Sequence, residues 1–290
     1  MGAAERVGPF ELLARLGRGG QGEVFLARPW AEGRGRLAAR LWLQIRLRAG
    51  GLGCAEAARW HLAALKLAHP HAAAALHDEH GHLAAPGAGH PHLVALYGAR
   101  HPGLARDLGP AHRAGGWYLA LAYEPGRPLE HALRRRPGPA WSVAAATQVA
   151  SALAHLHGRG IVHHDVRPAN VVVRRGRGGA PHCTLIDLGA AETPAAPRRR
   201  AVYGTRGHLP PERARADPAP PSPLVDVYGL GVLLRALTAG AAVSAPLARL
   251  IADATAEEGA RRAALPCMGA VLARLAALPE AAQLPPTTKQ

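Results

Sequence analysis

Three side chains able to handle a proton or a metal ion stand at short, fixed separations in the middle of the chain. Asp165 and Asn170 lie five residues apart in His163-His164-Asp165-Val166-Arg167-Pro168-Ala169-Asn170, and Asp187 opens Asp187-Leu188-Gly189. One carboxylate to orient a hydroxyl and take its proton, with an amide oxygen and a second carboxylate to hold metal ions on phosphates, is a set suited to phosphoryl transfer. That reaction is catalysed by positioning and charge neutralisation more than by covalent participation of the protein. Taken singly, each residue could equally be a turn or cap residue; their joint spacing makes that reading improbable. A second phosphate-type feature lies near the N-terminus, Gly17-Arg18-Gly19-Gly20-Gln21-Gly22-Glu23-Val24, a G-x-G-x-x-G-x-V pattern. Such glycines let backbone amides approach phosphate oxygens closely. A dinucleotide fingerprint shares the glycine spacing but opens a helix. Here Glu23-Val24-Phe25-Leu26-Ala27 reads as a strand, so the pattern predicts a glycine-rich hairpin.

The elements that would position these residues change character along the chain. The 290 residues suffice for one large domain or two lobes with a substantial core. Strands are predicted over Phe10 to Ala27 (two, around a glycine turn), Leu37 to Leu43, Leu93 to Tyr97 and Trp117 to Ala122. Residues 54 to 85 are rich in Ala and Leu and predict two helical pieces, broken at His69-Pro70-His71. A helix is predicted from Ser142, as N-cap, to His157, followed by short strands at Val171–Val173 and Thr184–Ile186. Further helices are predicted at Asp226 to Thr238, closed by Gly240, and at 246 to 257 and 268 to 277. The order is α+β: a small N-terminal sheet lobe and a larger, mainly helical C-terminal lobe.

Composition excludes more than it assigns. The net charge is +15, yet of 35 basic residues only Lys66 and Lys289 are lysines. Arg, Ala, Gly and Pro share GC-rich codons, so base composition accounts for the excess of arginine without nucleic acid as a partner. No aromatic residues interleave the arginines as a single-strand groove requires. Cys54, Cys183 and Cys267 are far apart and form no CxxC pair, which fits neither a disulfide framework nor a zinc knuckle and suits a reducing cytoplasm. No run of about 20 apolar residues predicts a membrane span, and the N-terminus lacks a signal-peptide pattern. The cluster His77-Asp78-Glu79-His80-Gly81-His82 has no Cys or spaced acid to complete a metal site and reads as a surface helix.

Eight motifs in the expected order make the chain resemble bacterial (Hanks-type) Ser/Thr protein kinases. Gly17 to Val24 is similar to their glycine-rich loop and Leu37-Ala38-Ala39-Arg40 to the V-A-I-K strand. His90-Pro91-His92-Leu93-Val94 resembles H-P-N-I-V, and Tyr118 to Gly126 the fifth strand and hinge. His163 to Asn170 resembles H-R-D-x-x-x-x-N, and Asp187 to Gly189 D-F-G. Gly204-Thr205 through Pro210-Pro211-Glu212 is similar to G-T…A-P-E, and Asp226 to Gly231 to D-V-Y-S-L-G. The resemblance implies a bilobal kinase-like domain over residues 10–280, with an N-lobe of about 10–121, a hinge at 122–126, a C-lobe at 127–280 and a frayed tail at 281–290.

It further implies ATP and Mg2+ as cofactors and a protein Ser/Thr hydroxyl as acceptor. Asp165 would be the base, with Arg167 near the transferred phosphate and Asn170 and Asp187 as metal ligands. Gly17, Gly19 and Gly22 would cover the phosphates. Val24 and Ala38 would enclose adenine, with Leu121 as gatekeeper and Tyr123 on the adenine-facing linker. Thr205 would bond near Asp165, and Glu212 would pair with Arg261 or Arg262. Glu79, eleven residues before His90, is the helix glutamate expected to pair with the strand cation.

The chain departs from the family pattern at Arg40, where lysine is expected, at Arg167, also for lysine, at His164 for arginine, and mildly at Leu188 for phenylalanine. Arginine is planar and forked, so Arg40 is not a conservative exchange in a tight site. Two functions follow from different classes: an active Ser/Thr kinase, favoured by the intact Asp165, Asn170 and Asp187, and a pseudokinase serving as a nucleotide-binding or scaffold module, favoured by Arg40. His164 removes the arginine that receives a phosphorylated activation loop, and Thr193 and Tyr203 are the phosphorylatable hydroxyls of the loop from Ala190 to Tyr203. Control by phosphorylation of that loop is therefore not expected.

Overall fold

The computed structural model describes residues 5–30, 43, 53–100, 111–113, 116–193, 210–213 and 222–283. The chain has an α+β architecture in two compact units: residues 1–89 with 94–126, and residues 90–93 with 127–290.

The first unit is built on an antiparallel sheet. Its strands are β1 (Arg6–Val7), β2 (Phe10–Gly19), β3 (Gly22–Pro29), β4 (Ala63–Ala68), β5 (Ala111–Arg113) and β6 (Gly116–Ala122), in the spatial order β1-β2-β3-β4-β6-β5. Helices α1 (Cys54–Arg59), α2 (Ala73–Ala84) and α3 (Tyr97–Arg100) belong to the same unit. Side chains alternate across a strand, so the register sorts them into two faces. Ala27, Ala63, Leu65, Tyr118 and Ala120 fall on one face and are buried together with Phe10 and Tyr97. The register pairs Val24 with Lys66 and Lys66 with Leu119, and pairs Ala64 with Leu121, which puts all five on the opposite face. Helix α2 packs on β6, with the His77 ring edge-on to Trp117 at 4.8 Å between centroids.

The strand Ala63–Ala68 corrects the helix predicted there. Ala and Leu are among the strongest helix formers, but this segment finds ladder partners on both sides, Gly22–Pro29 and Gly116–Ala122, and tertiary pairing overrides local propensity. The strand expected at 37–43 falls outside the described residues except for Leu43, which is helical and fully buried. Nor do residues 93–97 form a strand. Leu93 and Leu96 make single bridges, to Leu185 and Leu121, before the chain turns into α3.

The second unit is mainly helical: α4 (Glu130–Leu133), α5 (Pro139–Gly158), α6 (Leu224–Leu237), α7 (Ala245–Ala254), α8 (Glu258–Ala264) and α9 (Met268–Ala276). A small sheet of β7 (Arg127–Pro128), β8 (Val171–Arg175) and β9 (Pro181–Leu185) accompanies them. Helix α5 is the organising element and packs against α6, α9 and β9. It begins earlier than predicted, with Gly138 as N-cap and Pro139 in the first turn, where a missing N–H costs nothing. Ser142 is therefore inside the helix, and its hydroxyl donates to the carbonyls of Gly138 and Leu237. Helix α8 and the turn Pro279–Gln283 were not predicted; buried Glu280 of that turn accepts bonds from both the backbone N–H and the hydroxyl of Ser244. Among the described residues no helix is long and apolar enough to cross a membrane.

Candidate functional site

In the first unit the chemistry gathers on the Val24/Lys66 face of the sheet. Lys66 and Glu79 are both buried, and the Lys66 ammonium donates to the Glu79 carboxylate at 2.6 Å. Glu79 was expected to pair with Arg40. Arg40 and Ala38 lie outside the described residues, and the cation bonded to Glu79 is Lys66. Ala63-Ala64-Leu65-Lys66 thus fills the place assigned to Leu37-Ala38-Ala39-Arg40. Ala64 stands two residues before the lysine, directly across the ladder from Leu121. The correction has a plain cause. Lys66 lies in a segment whose Ala/Leu composition favours helix, which hides the lysine strand. Two signals pointed to it: it is one of only two lysines in the chain, and it precedes Glu79 by thirteen residues.

Gly17, Gly19 and Gly22 sit on the hairpin of β2 and β3, where Gly19 pairs with Gly22. Val24 is part-buried and lies opposite Lys66, while Leu121 is buried. Tyr123 does not present its ring outward. The ring is buried in a core cluster with Leu13, Leu26, Leu43 and Leu62, and burial pushes its hydroxyl up to about 12. Its N–H donates to the Leu62 carbonyl at 3.3 Å.

In the second unit the loop from His163 to Asn170 is tied into a compact set. The Asn170 amide nitrogen donates to the Asp165 carboxylate at 2.7 Å and to its main-chain carbonyl at 2.9 Å. That orientation leaves the Asn170 carbonyl oxygen as the atom with which it could reach a cation. Arg167 Nε donates to the Asp165 carboxylate at 3.1 Å. Asp187 is held at φ 68°, and its carboxylate accepts the Gly189 N–H at 3.0 Å. A left-handed non-glycine residue costs of order 1 kcal/mol or more and is kept where surroundings over-determine it.

The anchor of this loop is Asp226 on α6, to which the sequence reading assigned a motif but no role. Its carboxylate is wholly buried and accepts the backbone N–H of His163 and of His164, both at 2.8 Å, and the His157 ring N–H at 2.8 Å. Burial alone would raise its pKa. The His157 hydrogen bond and the charges of His157, His163 and His164 outweigh that and hold the carboxyl at about 2. Gly229, one turn further along the helix, permits the close approach. A Cβ there would lie 2.9 Å from the Val166 Cβ.

His164 is buried and sits at φ 66°. Burial lowers its pKa to about 4, more than Asp226 raises it, with Arg213, His163 and His157 adding to the depression. Glu192 is 3.7 Å from its Nε2, beyond a good hydrogen bond, so at neutral pH the ring is uncharged. The sign of the linkage follows. Below about pH 6.5 the unfolded chain takes up a proton that the folded chain refuses, so stability is full above 6.5 and falls as pH drops towards 4. This linkage is expected to remove about 3 kcal/mol over that interval. His164→Leu should flatten the urea-denaturation stability profile between pH 6.5 and 4; an unchanged slope would assign the acid sensitivity to other groups.

Glu212 pairs with Arg261, one of the two arginines expected for it, and both are buried. Arg261 also donates to the Ala256 carbonyl at 2.5 Å. Thr205 and Tyr203 lie outside the described residues, as do 284–290 of the expected tail; residues 281–283 continue the turn that starts at Pro279.

Comparison with known proteins gives these observations a family. The model of the protein kinase domain matches residues 62–258, well over half of the chain. Its first matched residues include β4 and Lys66, in keeping with the assignment of the lysine strand. The serine/threonine-protein kinase PkaA of Streptomyces coelicolor is 40% identical over 116 residues, which cover 38% of this chain and 21% of that protein. The serine/threonine-protein kinase AfsK of the same organism is 31% identical over 234 residues, covering 79% of this chain and 24% of that protein. Aurora kinase A-A of Xenopus laevis is 32% identical over 136 residues, covering 46% of this chain and 32% of that protein. The matched stretches span between about a fifth and a third of these relatives' lengths. With the motif order, the buried Lys66–Glu79 pair and the Asp226-anchored loop in place, the chain belongs to the protein kinase domain family.

Proposed function

We propose that this chain is an active Ser/Thr protein kinase that transfers the γ-phosphate of ATP to a protein hydroxyl. The observation that carries the proposal is the buried bond from Lys66 to Glu79, which supplies the strand lysine that Arg40 had seemed to replace. In this reading Lys66 holds the α- and β-phosphates and Glu79 holds Lys66. Gly17, Gly19 and Gly22 let the hairpin backbone cover the phosphates. Among the described residues nothing lies within 4 Å of where a Cβ would stand on Gly17 or Gly19, so the hairpin backbone there is open to a ligand. Val24, Ala64 and Leu121, sharing one face of the sheet, bound the adenine.

Asp165 orients the acceptor hydroxyl and takes its proton; Arg167 and Asn170 fix the carboxylate that does so. The donors offered to a cation, the Asn170 amide oxygen and the Asp187 carboxylate, are hard oxygens of the kind Mg2+ takes. Bound Mg2+ would neutralise charge developing on the phosphates. Arg167-Pro168 places the loop with the Ser/Thr form of the family.

His164, neutral and buried, offers no cation to a phosphorylated activation loop, so we read the loop geometry as set by Asp226 rather than by that switch. The pseudokinase alternative drew its support from Arg40, and with Lys66 beside Glu79 that observation no longer favours it. The test is transfer from radiolabelled ATP to a generic protein acceptor with Mg2+ or Mn2+, beside Asp165→Ala. Transfer well above that variant is expected; signal equal to it would overturn the enzymatic reading.

A further inference from the structure

The tip of the glycine-rich hairpin is fastened to the segment that joins the lysine strand to helix α2. Two hydrogen bonds extend the ladder in which Gly22 faces Ala68 at the end of β4: the His69 N–H donates to the Gln21 carbonyl at 2.9 Å, and the exposed His71 ring places Nε2 3.0 Å from the Gly20 carbonyl. A carbonyl can only accept, so His71 must carry its proton on Nε2, a form available in both the neutral and the charged ring. The His69 ring stacks beside the His71 ring with centroids 5.7 Å apart. Gly22 makes the approach possible. At φ 155° it lies so close to β4 that a Cβ would stand 1.9 Å from the Leu67 carbonyl oxygen. His71 lies in the turn Pro70–Ala72, which follows His69 directly and runs without a break into α2 at Ala73, the helix that carries Glu79.

We infer that His71 is a positioning residue for the nucleotide: it latches the tip of the phosphate-covering hairpin to the entry of the helix that positions Lys66. The inference rests on the nucleotide-binding reading above. Its physical basis is pre-organisation. A glycine-rich tip has high backbone entropy when free, and ordering it before the ligand arrives removes that cost from binding. Fastening the tip and starting α2 from the same short segment also means that the hairpin and the Lys66–Glu79 pair are set together.

The latch can be tested without nucleotide and with it. His71→Ala is expected to speed amide hydrogen exchange in the peptide covering Gly17 to Val24 of the nucleotide-free chain, and to raise the KM for MgATP about two- to ten-fold with kcat kept, the worth of one neutral hydrogen bond. His71→Gln, whose side-chain amide can present an N–H near the position of Nε2, should restore both. Exchange in His71→Ala indistinguishable from the parent would overturn the latch. Faster exchange with an unchanged KM would overturn its role towards nucleotide. A parent chain that binds no MgATP but shows the exchange difference would overturn the functional reading while leaving the latch standing.

Discussion

Lys66→Ala is expected to lower phosphoryl transfer by about 10²- to 10³-fold, the usual consequence of removing a preorganised charge aimed at the reacting phosphates, while Arg40→Ala leaves transfer close to the parent level. The two substitutions discriminate between the residues that compete for one role. Lys66 is buried and bonded to Glu79 at 2.6 Å on a face shared with Val24 and Ala64. Its removal has a second effect, because a carboxylate buried without its cation is destabilising by about 3–5 kcal/mol. Folding must therefore be monitored alongside activity, and the double variant Lys66→Met/Glu79→Gln, which removes both charges, should recover stability without recovering transfer. Lys66→Arg is expected to recover little transfer, since the forked guanidinium cannot occupy the site of a single ammonium. Steady-state kinetics with MgATP decide the matter. Retained transfer in Lys66→Ala with loss in Arg40→Ala would return the phosphate-binding role to Arg40.

Asp226→Ala is expected to be the most destabilising substitution near the candidate site. The carboxylate satisfies the buried N–H groups of His163 and His164 and the ring N–H of the part-buried His157. Alanine leaves two buried donors and one part-buried donor without this acceptor and lets the loop bearing Asp165 relax. A loss of about 3–5 kcal/mol is expected, a fall in melting temperature on the order of 10 °C for a chain of this size, with transfer lost even at temperatures where the variant is folded. Asp226→Asn should do only slightly better, because its amide NH2 would oppose a donor where the carboxylate offers an acceptor. The parent protein carries a matching pH signature. With the folded pKa depressed from 3.8 to about 2, the carboxylate contributes about 2 kcal/mol above pH 4 that is lost as pH falls through 2. Calorimetry of parent and variants measures both effects; a melting temperature shifted by less than a degree or two in Asp226→Ala would refute the anchoring role.

The acid sensitivity expected of His164 occupies a higher interval, between 6.5 and 4, so the two groups can be separated in one titration. Their coexistence has a single structural cause. One buried carboxylate gathers three histidines around the start of the loop that carries Asp165, and the position where an arginine would bring permanent charge carries instead a ring that burial keeps neutral.

Motifs whose parts lie on one loop were legible from residue order alone, because a separation of five residues fixes distance almost without help from the rest of the fold. Asp165 and Asn170, which the structure joins by a hydrogen bond, belong to this kind, as does the glycine hairpin, whose two strands are joined by their own turn. Glu79, named as the helix glutamate although its distance to His90 is unusual, bonds a strand cation, and Glu212 pairs with one of the two adjacent arginines named for it. Lys66 was not legible in the same way. Ala63 to Ala68 has the composition of a helix, and only ladder pairing with Gly22–Pro29 and Gly116–Ala122 makes it a strand and turns Lys66 to the face that Glu79 reaches. Tyr123 behaved similarly. Its place in the linker could be read, but not that its ring turns into the core. The role of Asp226 required the packing of α6 under a loop 62 and 63 residues away in sequence. The sequence by itself therefore determined the family, the fold class and the residues held together by short-range chain geometry. The tertiary structure decided which cation serves the helix glutamate, what holds the loop and which side chains face inward, because those depend on strand pairing and burial, which local propensity does not encode.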